Sequence, residues 1–164
     1  EYIKDFIGGH SWGIDKSDFK NDSELALPFK EVHGVVINDH VVAADAIIYL
    51  NPIILSQLTE NPFKSESREY PVDFGSPQEK LYTCKITIPD GYVIDELPQS
   101  RLIRLPDNAA KYAYSVTRAG NSILLTSNLQ INHSLFSSEE YPSLRQFYDQ
   151  VVAKQSEQIV LKKK

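Results

Sequence analysis

Cysteine is nearly absent. The one thiol, Cys84, cannot form an intrachain disulfide or a cysteine-based structural zinc site, which takes several thiolates from one chain. The redox compartment therefore stays open. Histidine is sparse, with four in the chain, and none stands in an HxH or HExxH pattern that would hold a catalytic metal. There is no GxGxxG, no GxxxxGK followed by Ser or Thr, and no GxSxG nucleophile elbow. The acidic residues Asp15, Asp18, Asp22 and Glu24 cluster, but they do not fit a twelve-position Ca²⁺ loop and read as a solvated face. No cofactor or metal is expected. Long apolar runs are missing too: nothing approaches the ~20 continuous apolar residues of a membrane-spanning helix. The opening EYIKDFIGGHSW lacks the basic-then-apolar order of a signal peptide, so an export signal is expected to have been removed or to lie upstream.

Positive charge is short in the first half. Residues 1–80 carry 7 Lys/Arg against 14 Asp/Glu, and residues 81–164 carry 10 against 8, within a total of −5. An acidic first half repels phosphate backbones, which argues against nucleic acid as a partner. Lys162, Lys163 and Lys164 read as a solvated tail. The 164 residues and 41% apolar content describe one domain, or one domain with an extension. A chain of this length buries roughly 70% of its unfolded surface and needs no staple.

The pattern along the chain is mostly β. Residues 1–24 are mixed, with Phe6, Trp12 and Phe19 scattered among Gly, Ser and Asp, and read as a loop or a lead-in from something upstream; as a division of the chain, residues 1–30 are the lead-in and 31–164 the domain. ELALPFKEVHGVVIND and HVVAADAIIYL are β-branched runs on either side of Asn38-Asp39, which predicts a hairpin there. NPIILSQLTE (51–60) reads as a short helix with Pro52 in its first turn, or as a buried strand. KLYTCKITIP alternates, with Tyr82, Cys84, Ile86 and Ile88 on the inner face, and Pro89-Asp90-Gly91 ends it. KYAYSVTRAGNSILLTSNLQINH predicts a long hairpin with Tyr112, Tyr114 and Val116 inward before the turn, and Ile123, Leu125, Leu129 and Ile131 after it. Leu144, Phe147, Tyr148, Val151 and Val152 recur at helical spacing, with Pro142 in the first turn and Ser137 and Ser138 leading in. The sum is a mainly β fold, an antiparallel, jelly-roll-like β-sandwich over residues 31–164. One amphipathic helix at about 140–158 packs on it. IVLKKK reads as a last edge strand or a frayed tail.

The residues offer little catalytic chemistry. Cys84 on an inner strand face is expected to be an inert core thiol. His33 and His133 fall on apparent strands and would matter only if carboxylates converged on them. The tyrosine hydroxyls of the inner faces are expected to reach the rim of the core. Trp12 and Phe19 are the freer aromatics and are the candidate ligand-binding side chains, for a glycan or a peptide. Gly9-His10-Ser11-Trp12 resembles the His-x-Trp stretch around the catalytic histidine of transglutaminase-like enzymes. In those enzymes the cysteine precedes the histidine. Here Cys84 follows His10, so His10 reads as a loop residue.

One stretch looks like a linker but carries too many aromatics for one: NPFKSESREYPVDFGSP, residues 61–77. Its NPF and R-x-YPVDFGSP, then IPDGYVIDELP, LPDNAAKYAYSV, and EYPSLRQFYDQVVAKQSEQIVL, follow in order. Together they resemble the C-terminal domain of multidomain Bacteroidetes proteins with a transglutaminase-like, cysteine-peptidase-type core. The resemblance covers about residues 31–164. It implies a non-catalytic accessory domain whose partner is the upstream core of the same polypeptide, with a protein or glycan as the parent's substrate. It also implies a periplasmic or cell-surface location. No catalytic residue carries over. The residues of the signature are Asn61, Pro62, Phe63, Arg68, Tyr70, Pro71, Gly91 and Tyr92, and they are expected to be structural: the aromatics packed, the prolines fixing the path, and Arg68 reaching a carboxylate or carbonyl.

Overall fold

The alternating runs build the centre of the molecule. The computed structural model describes residues 12–164; Phe6 and His10 lie outside the described residues. Four strands lie at that centre: β6 (Gln78–Thr87), β8 (Arg101–Arg104), β9 (Ala110–Ala119) and β10 (Ser122–Ile131). They form one antiparallel sheet in the order β6-β10-β9-β8. The β9–β10 turn is Gly120-Asn121, with Gly120 at φ +60, a conformation that favours glycine in a two-residue hairpin loop. As the alternation predicts, Tyr112, Tyr114, Val116, Ile123, Leu125, Leu129 and Ile131 are all buried.

A second antiparallel sheet has the order β3-β4-β12-β7, from β3 (Val41–Ala44), β4 (Ile47–Leu50), β7 (Tyr92–Glu96) and β12 (Ile159–Lys163). Leu50, Ile159 and Leu161 from this sheet join Tyr112, Ile123 and Leu125 from the first in one apolar core. The chain crosses between the sheets repeatedly, and a short pair, β5 (Val72–Asp73) with β11 (Leu135–Phe136), sits along the way. The molecule is thus mainly β and antiparallel, with one helix near the C-terminus.

Helix α1 (Tyr141–Gln155) forms where the spacing places it. Leu144, Phe147, Tyr148 and Val151 are buried along one face. Pro142 sits in the first turn, where its missing N–H costs nothing. Ser137 and Glu140 serve each other at the entrance. The Ser137 N–H donates to Glu140 Oε2 at 2.8 Å, and the Glu140 N–H donates to Ser137 Oγ at 3.3 Å. This is a capping box, which satisfies donors the helix leaves orphaned.

Four expectations fail. The runs flanking Asn38-Asp39 do not pair with each other. β2 (Lys30–Ile37) pairs with β1 (Trp12–Lys20), and β3 pairs with β4 around Asp45-Ala46. Residues 12–20 are therefore strand rather than loop, and a division at residue 30 cuts through a hairpin. Residues 51–60 form neither helix nor strand, although Pro52 and Ile53 are buried. IVLKKK is neither edge nor tail: β12 lies between β4 and β7, and the Lys164 N–H donates to the Gly91 carbonyl at 2.8 Å. Even where the local pattern reveals that a segment is extended, the choice of neighbour is made by burial across the whole fold.

Candidate functional site

The linker-like stretch is bolted to the helix. Asn61 accepts the Phe63 N–H at Oδ1 (2.9 Å), and its Nδ2 donates to the Arg145 carbonyl (2.9 Å) and to Asp149 Oδ1 (2.7 Å). Asn51 repeats the device: Oδ1 accepts the Ile53 N–H at 2.8 Å, and Nδ2 donates to the Gln155 carbonyl at 2.9 Å. Each Asn precedes a proline, which has no N–H, so the amide oxygen reaches the residue two further on and closes an Asx-turn. Gln155 completes the second clamp with Oε1 accepting the Leu58 N–H at 2.7 Å, while Gln57 Nε2 donates to the Gln155 carbonyl at 3.0 Å. Last-turn carbonyls that a helix leaves free are thereby satisfied. The signal was in the sequence as a repeated Asn-Pro-apolar triplet, Asn51-Pro52-Ile53 and Asn61-Pro62-Phe63, and the reading above missed its first copy.

The aromatics of this stretch divide. The Phe63 ring stands edge-on to Tyr148 (5.1 Å between centroids), Tyr141 (5.8 Å) and Phe74 (6.3 Å), and Phe74 meets Phe136 at 5.7 Å. Such pairs are each worth about 0.5–1.5 kcal/mol beyond area burial. Tyr70 does not pack: it is 77% exposed, and Pro62 and Pro71 are exposed as well. Arg68 places its guanidinium over the Tyr141 ring at 5.8 Å, in place of the expected carboxylate or carbonyl. Gly91, at φ +83, makes the turn that lets the Tyr92 N–H reach the Pro89 carbonyl at 3.2 Å. The Tyr92 ring packs against the core.

The two candidate binding aromatics lie on the β1–β2 hairpin. Trp12 is half-buried opposite Ile37; Phe19 is 54% exposed and stacks on Phe29 at 6.3 Å and 16°. They stand at opposite ends of β1. Beside Phe19, His33 Nδ1 is 2.9 Å from Ser17 Oγ, and its Nε2 is 3.3 Å from Glu31 Oε2. These are the contacts of a nucleophile, a base and an orienting acid. The register accounts for them: Ser17 is directly opposite His33, and Glu31 is two residues along the same face. Ser17 and Glu31 are exposed, and developing charge there would be screened by water. The arrangement is a cross-strand polar cluster. His133 falls after β10 rather than on a strand. Among the described residues, no group of three or more His, Cys, Asp or Glu is placed to hold a metal.

A polar cleft of about 640 Å³ opens between the β7–β8 connection and the end of α1. Its walls include Tyr49, Glu96, Arg101, Lys154 and Glu157. Lys154 is 4% exposed, donates to Glu157 Oε2 at 2.6 Å, and holds its ammonium 5.1 Å from the centre of the Tyr114 ring. A buried cation requires this kind of pairing. Below it the tyrosines keep their protons. Burial pushes up the pKa of Tyr112 and Tyr114, and it pushes Tyr148 up to about 12. The Tyr112 hydroxyl bonds Ser127 Oγ at 3.0 Å instead of reaching the rim. The Tyr114 hydroxyl is buried with no partner among the described residues. Cys84, half-buried, packs against the core beside Tyr82.

A family model matches residues 46–161: DUF3858, a domain of unknown function with a solved structure. The chain belongs to this family. The DUF3858 match begins after β3 and takes in both Asn clamps, the helix and the start of β12, as far as Leu161. Among solved structures, the chain is similar to the crystal structure of a protein from Parabacteroides distasonis ATCC 8503 described as a putative protease, at a TM-score of 0.58 and 17% identity. The likeness covers 73% of this chain and 24% of that one. It is a likeness of fold. No curated protein matches the chain.

Proposed function

We propose that this DUF3858 chain is a non-catalytic accessory domain of a larger exported protein, with a structural or substrate-access role beside a transglutaminase-like core of the same polypeptide. The observation that carries the reading is the β1–β2 hairpin. Paired residues put Trp12, Ile14, Phe19, Val35 and Ile37 on one face, around the Ser17–His33–Glu31 cluster, and β1 and β2 pair with no other strand among the described residues. A two-stranded sheet is marginal by itself in water, and an apolar face on it calls for a cover. The upstream core of the same polypeptide is that cover. The fold likeness to a chain of which this one covers 24% supports the scale of such a parent. The transglutaminase-like character of the core and the periplasmic or cell-surface location rest on the sequence resemblance.

Hydrogen exchange tests the reading. The amides of residues 12–37 are expected to exchange fast in the isolated chain and to be protected in the native parent protein. Equal exchange in both removes the docking role. Hydrolytic or acyl-transfer turnover by the isolated chain that disappears in Cys84→Ser or Ser17→Ala would instead make it an enzyme. A second reading, a glycan- or peptide-binding module, draws on the cleft at Tyr49 and Arg101. Amide shifts there on titration with a glycan panel would support it.

A further inference from the structure

The two large sheets have four edges, and three are managed. β8 is four residues long, and its Arg101 reaches across to Gln150 of α1 at 3.3 Å. β3 is four residues long. β7 has five residues and joins β12 through a register irregularity. Short strands, covering helices, bulges and charged residues are the usual protections of an edge. β6 has none of the first three, and its charges are Glu79, Lys80 and Lys85. It runs ten residues without proline, stays in register with β10 throughout, and pairs with nothing on its other side among the described residues. Alternate residues of such a strand turn their N–H and C=O groups to the open side.

The open edge borders a groove. A cavity of about 600 Å³, mostly apolar, lies between Lys80 and Tyr82 of β6, Leu129 of β10, and Ile53, Leu55 and Leu58 of the clamped segment. It opens at the β6 edge, mainly on the inner face and with Glu79 and Leu81 at its margin, where a strand added to β6 would deliver every second side chain. The opposite face has its own signature. Glu79 is already engaged by the Asn128 and Gln130 amides, both at 2.8 Å, which hold its carboxyl below its ordinary pKa. Lys85, opposite Leu124, has no ion-pair partner among the described residues, and neither has Lys80 at the groove.

We propose that β6 is a β-augmentation site. Its occupant is an extended segment of another polypeptide, with apolar side chains on the groove face and acidic side chains on the face of Lys85. Backbone hydrogen bonds would supply affinity, the groove would select side chains, and the unpaired Lys85 would set the sign of the charge on its face. The site stands apart from the hairpin and does not depend on the accessory-domain reading.

The probe is an acetylated, amidated decapeptide alternating valine and aspartate, titrated into the full chain with amide shifts as readout. Shifts are expected over residues 78–87 and 53–58. Three comparisons make the result specific. The same peptide N-methylated on one backbone edge is expected to lose binding. Leu55→Asp, at a side chain exposed enough to leave the fold intact, is expected to weaken it about tenfold. Lys85→Glu is expected to lower affinity about five- to tenfold and turn the preference to a valine–lysine peptide, as reversal of a cross-strand charge pair should. Equal binding by the N-methylated peptide overturns the proposal, as do shifts confined to the hairpin or the polar cleft, or no binding at millimolar peptide. A chain dimer paired through β6 in sedimentation equilibrium overturns it as well, by assigning the edge to a second copy.

Discussion

The hairpin at residues 12–37 and the long β9–β10 hairpin are written in the same language. Both alternate apolar and polar residues, and both fold as antiparallel pairs. Their fates differ. In β9 and β10 the inner side chains vanish from solvent, with Tyr112 and Ile123 fully buried, because a helix and a second sheet close over them. In β1 and β2, Ile14 and Phe19 on one face and Val32 and Val36 on the other remain exposed. Alternation specifies a strand with two unlike faces, and it says nothing of what covers the apolar one. That contrast separates a load carried inside the domain from a surface offered outward.

The largest effect should come from the covered region. Phe147→Ala removes a fully buried ring from α1 and is expected to cost about 3–5 kcal/mol in urea unfolding. A loss below about 1 kcal/mol would mean that the helix does not close over the β9–β10 side chains.

The next effect is on the alkaline side. Tyr148 is raised from 10.0 to about 12 by burial, and Tyr112 and Tyr114 are raised for the same cause. The native state therefore keeps protons that the unfolded state gives up. Stability is expected to be flat with respect to these groups below pH 10 and to fall as pH rises from 10 towards 12. The hairpin has no tyrosine, so its cross-strand contacts should show no such loss, and circular dichroism with residue-resolved NMR separates the two.

Asn61→Ala probes the clamp. It strips an acceptor from the Phe63 N–H and a donor from the Arg145 carbonyl, and is expected to cost about 1–3 kcal/mol. Asn51→Ala should behave alike, and a pair of unequal costs would rank the two turns. The smallest effect belongs to the exposed region: Phe19→Ala is expected within about 0.5 kcal/mol of the parent sequence in the isolated chain. A loss as large as that of Phe147→Ala would erase the contrast between the regions.

Legibility followed the same division. The inner face of β6, the β9–β10 hairpin and α1 were readable because their periods are local and their turns carry Gly, Pro or a capping pair. The β1–β2 pairing was not, because Asn38-Asp39 offers a turn and nothing nearby says that β2 turns back instead. The signature residues Asn61 and Phe63 were found by resemblance, and their partners were invisible until the helix was in place. Tyr70 and Arg68 were misjudged for the same reason: an aromatic or an arginine has no environment until the chain around it is folded.

By itself, the sequence determined that the alternating runs of β6, β9 and β10 extend, which segment coils, where α1 begins, and that no disulfide or cysteine-built zinc site forms within these residues. These follow from backbone sterics, side-chain period and the count of thiols, all of which act within a few residues or need no geometry at all. Tertiary structure alone decided that β12 fills the middle of a sheet, that Asn51 reaches a carbonyl 104 residues away, and that Lys154 is buried over Tyr114. It also decided that β6 has no partner on its outer side among the described residues. Those outcomes depend on which distant surfaces meet, and the free energy that selects them is the burial of a shared core, which belongs to no single segment.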